Sequence, residues 1–270
     1  MSAIATPWEG YVKPFRIYGN LYFVGTVPAS THLIDTGEGL IMIDSGYPQS
    51  LYLVLAGMQD LGFSYHDVKY IFHSHGHYDH LGATKALVAL TNAKTFLGAP
   101  DETYATGTEE LTWAKELGAD YYEAFEPDVL LHDGDTITLG HTVIECVATP
   151  GHTPGTMSFF FNAIDNGVKK TCAMFGGFGF NSMESSFLDR KGLSYDCRKD
   201  FLASLAKVRD RHVDIALGNH VGNNDTVGKS LRMTPEYNPF VDDTAWGKML
   251  DTHRKLFLEH FGGNIGGKSL

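Results

Sequence analysis

Cysteine is scarce in this chain of 270 residues, which contains only Cys146, Cys172 and Cys197. An odd number of widely spaced cysteines gives no disulfide framework, and no pair has the C-x-x-C spacing of a metal or redox motif. The fold must therefore depend on a hydrophobic core. The hydrophobic content of 43% is ordinary for a globular protein.

Basic residues are also few. The chain has 21 Lys and Arg against 32 Asp and Glu, which gives a net charge of −11. Nucleic acids are bound by clusters of positive charge, so this balance and the lack of any Lys/Arg run argue against a nucleic-acid partner. We expect a small-molecule partner instead, and the sequence leaves the oligomeric state open.

Long hydrophobic runs are missing as well. No apolar segment reaches the roughly 20 residues that span a bilayer, so we expect no membrane partner. Residues 1–11 lack the basic region and apolar stretch that mark an export signal. The expectation is a cytoplasmic protein, although a secreted or periplasmic protein whose leader has been removed would look the same.

Histidine, in contrast, is abundant, and it is concentrated in one motif. The chain has 13 histidines, and residues 75–80 read His-Gly-His-Tyr-Asp-His. Buried imidazoles and carboxylates need a partner, and together they are the ligands of zinc and similar divalent ions. In an extended loop His75 and His77 point the same way and can share one ion, while Asp79 and His80 can hold a second. The motif predicts a two-metal hydrolytic site.

The pattern around the motif predicts alternating strands and helices in one compact domain, residues 1–270. Short apolar runs at 40–43 and 68–72 predict strands, and the second leads into the histidine motif. Helical spacing of apolar residues at 81–90 predicts a helix directly after it. The site therefore falls between a strand end and a helix start, where open α/β sheets bind ligands.

Two further histidines follow predicted strands later in the chain. His152 lies in a Pro- and Gly-rich loop at 149–155, and His220 follows a predicted strand at 213–217. The other elements predicted in this half are strands at 157–161 and 172–175 and helices at 198–209 and 242–260.

This series of motifs resembles the metallo-β-lactamase superfamily over nearly the whole chain. The strand that ends in Asp44-Ser45-Gly46, the histidine motif, the turn Asp133-Gly134-Asp135 and the loop 149–155 correspond to successive motifs of that family. The resemblance implies an α/β fold, an αββα sandwich of two mixed sheets flanked by helices. It also implies two metal ions at one edge, between the sheets.

The resemblance further implies a role for each candidate residue. The ligands would be His75, His77 and His152 for the first ion, and Asp79, His80 and His220 for the second. Asp44 would support the histidine loop from behind through hydrogen bonds. The expected cofactors are two Zn²⁺ ions, with Mn²⁺ or Fe²⁺ as alternatives.

One departure from the family pattern narrows the resemblance to a single subclass of the family. Most hydrolases of the family have an Asp that bridges the two ions after the strand at 172–175, whereas this chain has Gly176-Gly177. The third subclass of metallo-β-lactamases lacks this ligand and is the most similar group. That subclass typically has serines that help to hold the substrate carboxylate, at the positions of Gly177 and Gly179 here. A substrate other than a β-lactam is therefore equally compatible with the sequence.

The expected activity is hydrolysis of a carbonyl compound by hydroxide that two divalent ions generate from water. Asp79 would orient the hydroxide and assist proton transfer, in addition to binding metal. A cyclic amide, as in a β-lactamase, is the leading substrate class. The alternatives are an ester, lactone or thioester hydrolase on the same fold, and a non-catalytic metal-binding relative.

Aromatic residues are concentrated between residues 100 and 131, among them Tyr104, Trp113 and Phe125. Two interpretations of this segment are open. It forms either a lid over the metals that supplies an apolar substrate wall, or a packed helical insertion.

Overall fold

The computed structural model describes residues 2–119, 121–262 and 265, and it contains two β-sheets packed face to face. The strands of the first sheet, in both chain order and spatial order, are β1 (Phe15–Tyr18), β2 (Leu21–Phe23), β3 (His32–Asp35), β4 (Leu40–Ile43), β5 (Val68–Phe72), β6 (Lys94–Gly98) and β7 (Val129–Leu131). Pairing is antiparallel from β1 to β4 and parallel from β4 to β7. This sheet is therefore mixed.

The second sheet is also mixed. Its strands are β8 (Thr136–Leu139), β9 (Thr142–Ala148), β10 (Met157–Asp165), β11 (Val168–Phe175) and β12 (Ile215–Gly218). The spatial order is β12-β11-β10-β9-β8, and only β11 and β12 are parallel. Asn166 and Gly167 connect β10 to β11, both with positive φ, as the two-residue turns of hairpins require.

Helices cover both outer faces of the sheet pair. They are α1 (Leu51–Asp60), α2 (Tyr78–Leu81), α3 (Thr84–Thr91), α4 (Glu102–Ala105), α5 (Ser185–Lys191), α6 (Cys197–Val208), α7 (Thr226–Leu231) and α8 (Ala245–Phe261). Helices α1 and α3 pack on the first sheet, and α6 and α8 pack on the second. The αββα sandwich that the sequence predicts is confirmed.

Strand β5 illustrates why these residues form a buried strand. Ile71 faces the helices of the outer layer, whereas Phe72 faces the other sheet and contacts Phe159 edge-on, with 5.5 Å between ring centroids. Because successive side chains of a strand point to opposite faces, a strand covered on both sides is apolar at consecutive positions.

Within the described residues, no helix is long and apolar enough to cross a membrane.

The strands predicted at 40–43 and 68–72 match β4 and β5. The helix predicted at 81–90 is confirmed for residues 84–90, which lie in α3, but it is not continuous back to Leu81. The structure has two helices there, α2 and α3, separated at Gly82 and Ala83. Gly82 lies against Pro48, and a Cβ at this position would be 2.8 Å from the Pro48 Cδ atom. The Ala83 amide donates to the Gly46 carbonyl at 3.1 Å, a contact with a distant segment that local spacing cannot reveal.

Parallel strands place several loops at one edge of the sandwich. The carboxyl ends of β4, β5 and β6 lie side by side, and they are followed by Asp44, by the histidine motif and by Asp101. In the second sheet β11 and β12 end in the same way, before Gly176 and His220. The polar loops of both sheets therefore meet at this edge.

One buried histidine beside that edge, at the start of β3 and paired with Ile43 of β4, belongs to none of these loops. His32, in β3, is 1% exposed, and within the described residues neither of its ring nitrogens has a hydrogen-bond partner. Burial lowers the pKa of His32 from 6.5 to about 4, although the nearby Asp44 opposes this. The unfolded chain therefore binds the proton more readily, and His32 destabilises the fold as the pH falls from 6.5 towards 4.

We expect the substitution His32→Leu to remove this part of the pH dependence. Between about pH 8 and pH 5 the wild-type protein should lose about 2 kcal/mol of unfolding free energy through His32, and the variant should not. Urea denaturation at the two pH values measures the difference. His132→Leu, which changes a side chain that is 73% exposed, should keep the wild-type dependence. Equal pH dependence in the wild type and in His32→Leu would contradict the prediction.

Candidate metal centre

The histidine motif spans the end of β5 and the start of α2. His75 and His77 lie in the connecting loop, and Asp79 and His80 lie in the first turn of α2. All four side chains are buried. Because they are charged or strongly polar, each needs a partner to offset the loss of hydration.

The first group of donors consists of His75, His77 and His152, whose ligand atoms lie within 4.8 Å of one another. The Nε2 atoms of His75 and His152 are 3.0 Å apart. The Nδ1 atom of His75 donates to the Gly176 carbonyl at 2.9 Å, and that of His152 donates to the Gly179 carbonyl at 2.8 Å. Carbonyl oxygens only accept, so the hydrogen of each neutral ring is on Nδ1 and the two Nε2 lone pairs face each other.

Electrostatics keeps this first group neutral. Burial lowers the pKa of His75 and of His77 well below the ordinary value, and lowers that of His152 to about 4. Two lone pairs at 3.0 Å repel each other unless a cation lies beside both. The donor set therefore fits a divalent ion such as Zn²⁺.

The second group consists of Asp79, His80 and His220. His80 Nε2 lies 3.2 Å from Asp79 Oδ2 and 3.2 Å from His220 Nε2, and His220 Nε2 lies 3.5 Å from Asp79 Oδ2. The Nδ1 atom of His220 donates to the Pro28 carbonyl at 2.7 Å, so its Nε2 points inward. His75 is also within 4.8 Å of the Asp79 and His80 donors. The two groups are therefore adjacent.

This second group attracts positive charge. Burial alone would lower the pKa of His80, but the carboxylates of Asp79 and Asp44 raise it to about 10. Burial raises the pKa of the Asp79 carboxyl, but the facing His80 outweighs it and holds this pKa well below its usual range. A divalent cation can replace the His80 proton here, since binding of a metal to a histidine releases its proton.

Asp44 forms hydrogen bonds with Ser74, which directly precedes His75, and with His80. It is 1% exposed, and its Oδ1 accepts from the Ser74 amide at 2.7 Å. Its Oδ2 accepts from the Ser74 hydroxyl and from His80 Nδ1, both at 2.8 Å. A carboxylate in this position orients the imidazole and leaves its Nε2 directed at the Asp79 carboxylate and the His220 ring.

Asp101 is a buried residue that the sequence analysis missed. Its carboxylate accepts from the Gly76 amide at 2.7 Å, from the Thr153 hydroxyl at 2.6 Å and from the Gly155 amide at 2.6 Å. Burial raises its pKa to about 6, so the group is ionised at neutral pH. Asp101 thereby fastens the loop of His75 and His77 to the loop of His152. The available signal was its position just after β6, at the edge that carries the other loops.

The two glycines that stand where the related subclass has serines are covered by His152. A Cβ atom at Gly177 would lie 2.4 Å from His152 Cδ2, and one at Gly179 would lie 2.9 Å from His152 Cε1. The imidazole therefore fills the space that larger side chains would need. The glycine pair at 176 and 177 does not leave the pocket open.

A cavity of about 260 Å³ opens on the site. Its lining residues are Pro28, Tyr47, His77, Asp79, Trp113, Leu117, His152, Gly179, Asn181 and His220. None of them is Lys or Arg. Trp113 and Leu117 come from the aromatic segment at 100–131, which has no helix between residues 106 and 128 in its described part. The helical interpretation of the segment is wrong, and its function as a lid stays a prediction.

Comparison with known proteins agrees with the family that the sequence motifs resemble. Residues 24–163 match the family model of the metallo-beta-lactamase superfamily. The FEZ-1 metallo-beta-lactamase from Legionella gormanii superposes with a TM-score of 0.85 at 28% identity, covering 96% of this chain and 98% of that chain. The class B3 di-zinc metallo-beta-lactamase LRA-12 from an Alaskan soil metagenome has a TM-score of 0.80 at 29% identity, covering 96% and 98%.

Among curated proteins, the probable metallo-hydrolase YflN of Bacillus subtilis (strain 168) is 27% identical over 156 residues, 52% of this chain and 55% of that protein. The chain thus spans about half the length of this relative. These matches and the donor groups support a metal-dependent hydrolase. Since the family model covers more than half of the chain and the fold agrees with such enzymes over nearly their whole length, the chain belongs to the metallo-β-lactamase superfamily.

Proposed function

We propose that this protein is a hydrolase that uses two divalent metal ions, with Zn²⁺ as the expected ion, to cleave a cyclic amide. The observation that carries the proposal is the convergence of two adjacent donor groups on His75. His75, His77 and His152 would hold one ion, and Asp79, His80 and His220 the other. Directly after β11 the chain has Gly176-Gly177 and no carboxylate to bridge them, as in the most similar subclass.

When bound, two such ions would lower the pKa of a water molecule and polarise the scissile carbonyl. Asp79, whose side chain is 13% exposed at the cavity, would orient the attacking water and accept its proton. Burial raises the pKa of Tyr47, which therefore stays a neutral phenol that can donate a hydrogen bond to the substrate. Trp113 borders the same cavity and would exclude bulk water.

An ester or lactone hydrolase is the second candidate. The absence of Lys and Arg from the lining of the cavity favours it, because β-lactam antibiotics carry a carboxylate that a cationic side chain would pair with. The side chains proposed to bind metal would have the same roles on an ester carbonyl. Substrate turnover separates the two candidates.

The zinc-loaded protein should hydrolyse at least one substrate in a panel of a penicillin, a cephalosporin, a carbapenem, γ-butyrolactone and p-nitrophenyl acetate. His77→Ala should lower kcat/KM by at least about 100-fold, because the first ion loses a ligand. Chelation should abolish turnover, and added Zn²⁺ should restore it. His132→Ala serves as the control. Two bound ions without turnover of any substrate would favour a non-catalytic relative.

Asp44→Asn should weaken binding of the second ion by about 10- to 100-fold, because the amide is a poorer partner for the His80 Nδ1 hydrogen. Competition with a chromophoric chelator measures both zinc affinities. Asp67→Asn, which changes an exposed carboxylate in the turn directly before β5, is the matched control. An unchanged second affinity would show that Asp44 only shapes the loop.

Gly177→Ser should displace His152, since the new Cβ would lie 2.4 Å from its ring. Zinc content should fall from two ions towards one, as measured by metal analysis after gel filtration. Gly222→Ser is the matched control, because a Cβ there meets nothing within 4 Å. Wild-type zinc content in Gly177→Ser would show that the His152 loop can move aside.

A further inference from the structure

A second cavity adjoins the candidate metal centre. It has a volume of about 340 Å³, and His77 and His152 line both this cavity and the one that opens on Asp79. The two cavities are therefore adjacent, and the two imidazoles border both. The volume of the second cavity is in the range of small-molecule pockets, which start at roughly 300 Å³.

Much of the wall of this second cavity is apolar. The large apolar side chains are Tyr104, Leu111, Phe187, Leu188 and Leu193, and the polar part includes Ser182 and Ser194. Tyr104, Leu111 and Phe187 are less than 10% exposed and belong to one hydrophobic cluster. The Trp113 ring lies 5.0 Å from Phe187 and 6.4 Å from His77, so the cluster adjoins the metal centre directly.

Beside the cavity, an ion pair joins two of the segments that form its walls. Arg190 in α5 lies over the Phe187 ring, 5.5 Å from its centroid, and pairs with Glu116 at 2.9 Å. This contact joins α5 to the aromatic segment that carries Trp113. The cavity lies between these two segments, since Phe187 and Leu188 belong to α5 and Leu111 belongs to the aromatic segment.

The charges around this cavity exclude one kind of ligand. No Lys or Arg lines it, and its charged lining residues are Asp196 and Asp200, both exposed. Asp196 already pairs with Lys199 at 2.9 Å. An anionic group at the far end of an arm in this cavity would lose hydration with no lining Lys or Arg to pair with, and it would lie near Asp196 and Asp200.

We propose that this cavity holds an uncharged hydrocarbon arm attached to the scissile carbonyl of the substrate. The substrate class is then a neutral ester, lactone or amide with an acyl arm of medium length. Water adds its OH to the carbonyl carbon, the C–O or C–N bond breaks, and the leaving oxygen or nitrogen takes the remaining hydrogen. The resulting carboxylic acid and alcohol or amine are separate molecules for an open-chain substrate and one ring-opened molecule for a cyclic one. This inference rests on the proposed hydrolase function and adds the specificity of the same site.

The test uses p-nitrophenyl esters with acetyl, butyryl, hexanoyl and octanoyl arms, and the p-nitrophenyl monoester of adipic acid, whose arm ends in a carboxylate. For the zinc-loaded protein, kcat/KM should rise by up to about fourfold for each buried CH2 group until the cavity is full. The adipic monoester should be at least about tenfold poorer than the hexanoyl ester. A flat series, or equal use of the adipic monoester, would overturn the inference and leave the hydrolase proposal intact.

Two substitutions of Leu193 should change the volume of the second cavity in opposite directions. Leu193→Phe should fill the cavity and lower the ratio of hexanoyl to acetyl turnover by about tenfold. Leu193→Ala should enlarge it and shift the preference towards the octanoyl arm, which keeps the test open if the larger side chain prevents folding. Leu231→Phe, at a position 81% exposed, is the control and should leave the series unchanged. Identical series in both Leu193 variants and the wild type would also overturn the inference.

Measurements of binding distinguish failure of the inference about the second cavity from failure of the proposed hydrolase function. Calorimetric titration of the zinc-loaded protein with acetohydroxamic, hexanohydroxamic and adipic monohydroxamic acids needs no turnover, because the hydroxamate group binds the metal. If no ester is hydrolysed but affinity rises with the apolar arm and not with the charged one, esterase activity is rejected and the cavity assignment stands. Affinity independent of the arm would reject the cavity assignment in either case.

Discussion

The hydrogen bonds on the outer side of the clustered imidazoles are the interactions on which the rest of the site depends. Backbone carbonyls of Gly176, Gly179 and Pro28 take the Nδ1 hydrogens of three histidines, and Asp44 takes that of His80. Each ring is thereby held in one orientation, with Nε2 directed inward. Without these acceptors, the lone pairs that meet at 3.0 Å would turn away from each other.

Those acceptors come from both sheets, so the site requires the complete sandwich. Asp44 follows a strand of the first sheet, and Gly176 follows a strand of the second. Asp101 adds a direct connection between the loops of His75 and His152 through three short hydrogen bonds. Removing a buried carboxylate that serves several donors leaves each donor unsatisfied. Packing of the sheets and geometry of the proposed metal centre are therefore coupled.

The position of His152 beside Gly177 and Gly179 also bears on the proposed substrate specificity. His152 occupies the space beside Gly177 and Gly179, where hydroxyl groups would otherwise help to hold a carboxylate. No cationic side chain lines either cavity at the site, and the second cavity has apolar walls. All three features point away from an anionic substrate. They agree with a neutral carbonyl compound with a hydrocarbon arm.

Local periodicity predicted strands β4 and β5, and the dense histidine motif predicted a metal site. The sandwich, and the histidines that meet at one edge of it, were implied by the resemblance of the motifs to the metallo-β-lactamase superfamily. The sequence did not reveal the break at Gly82 or the role of Asp101, since both depend on contacts with residues distant in the chain. Nor could it show that Gly177 is covered by His152. Tertiary structure decided these points, because the space around a glycine and the donors facing a buried carboxylate are set by which segments pack together.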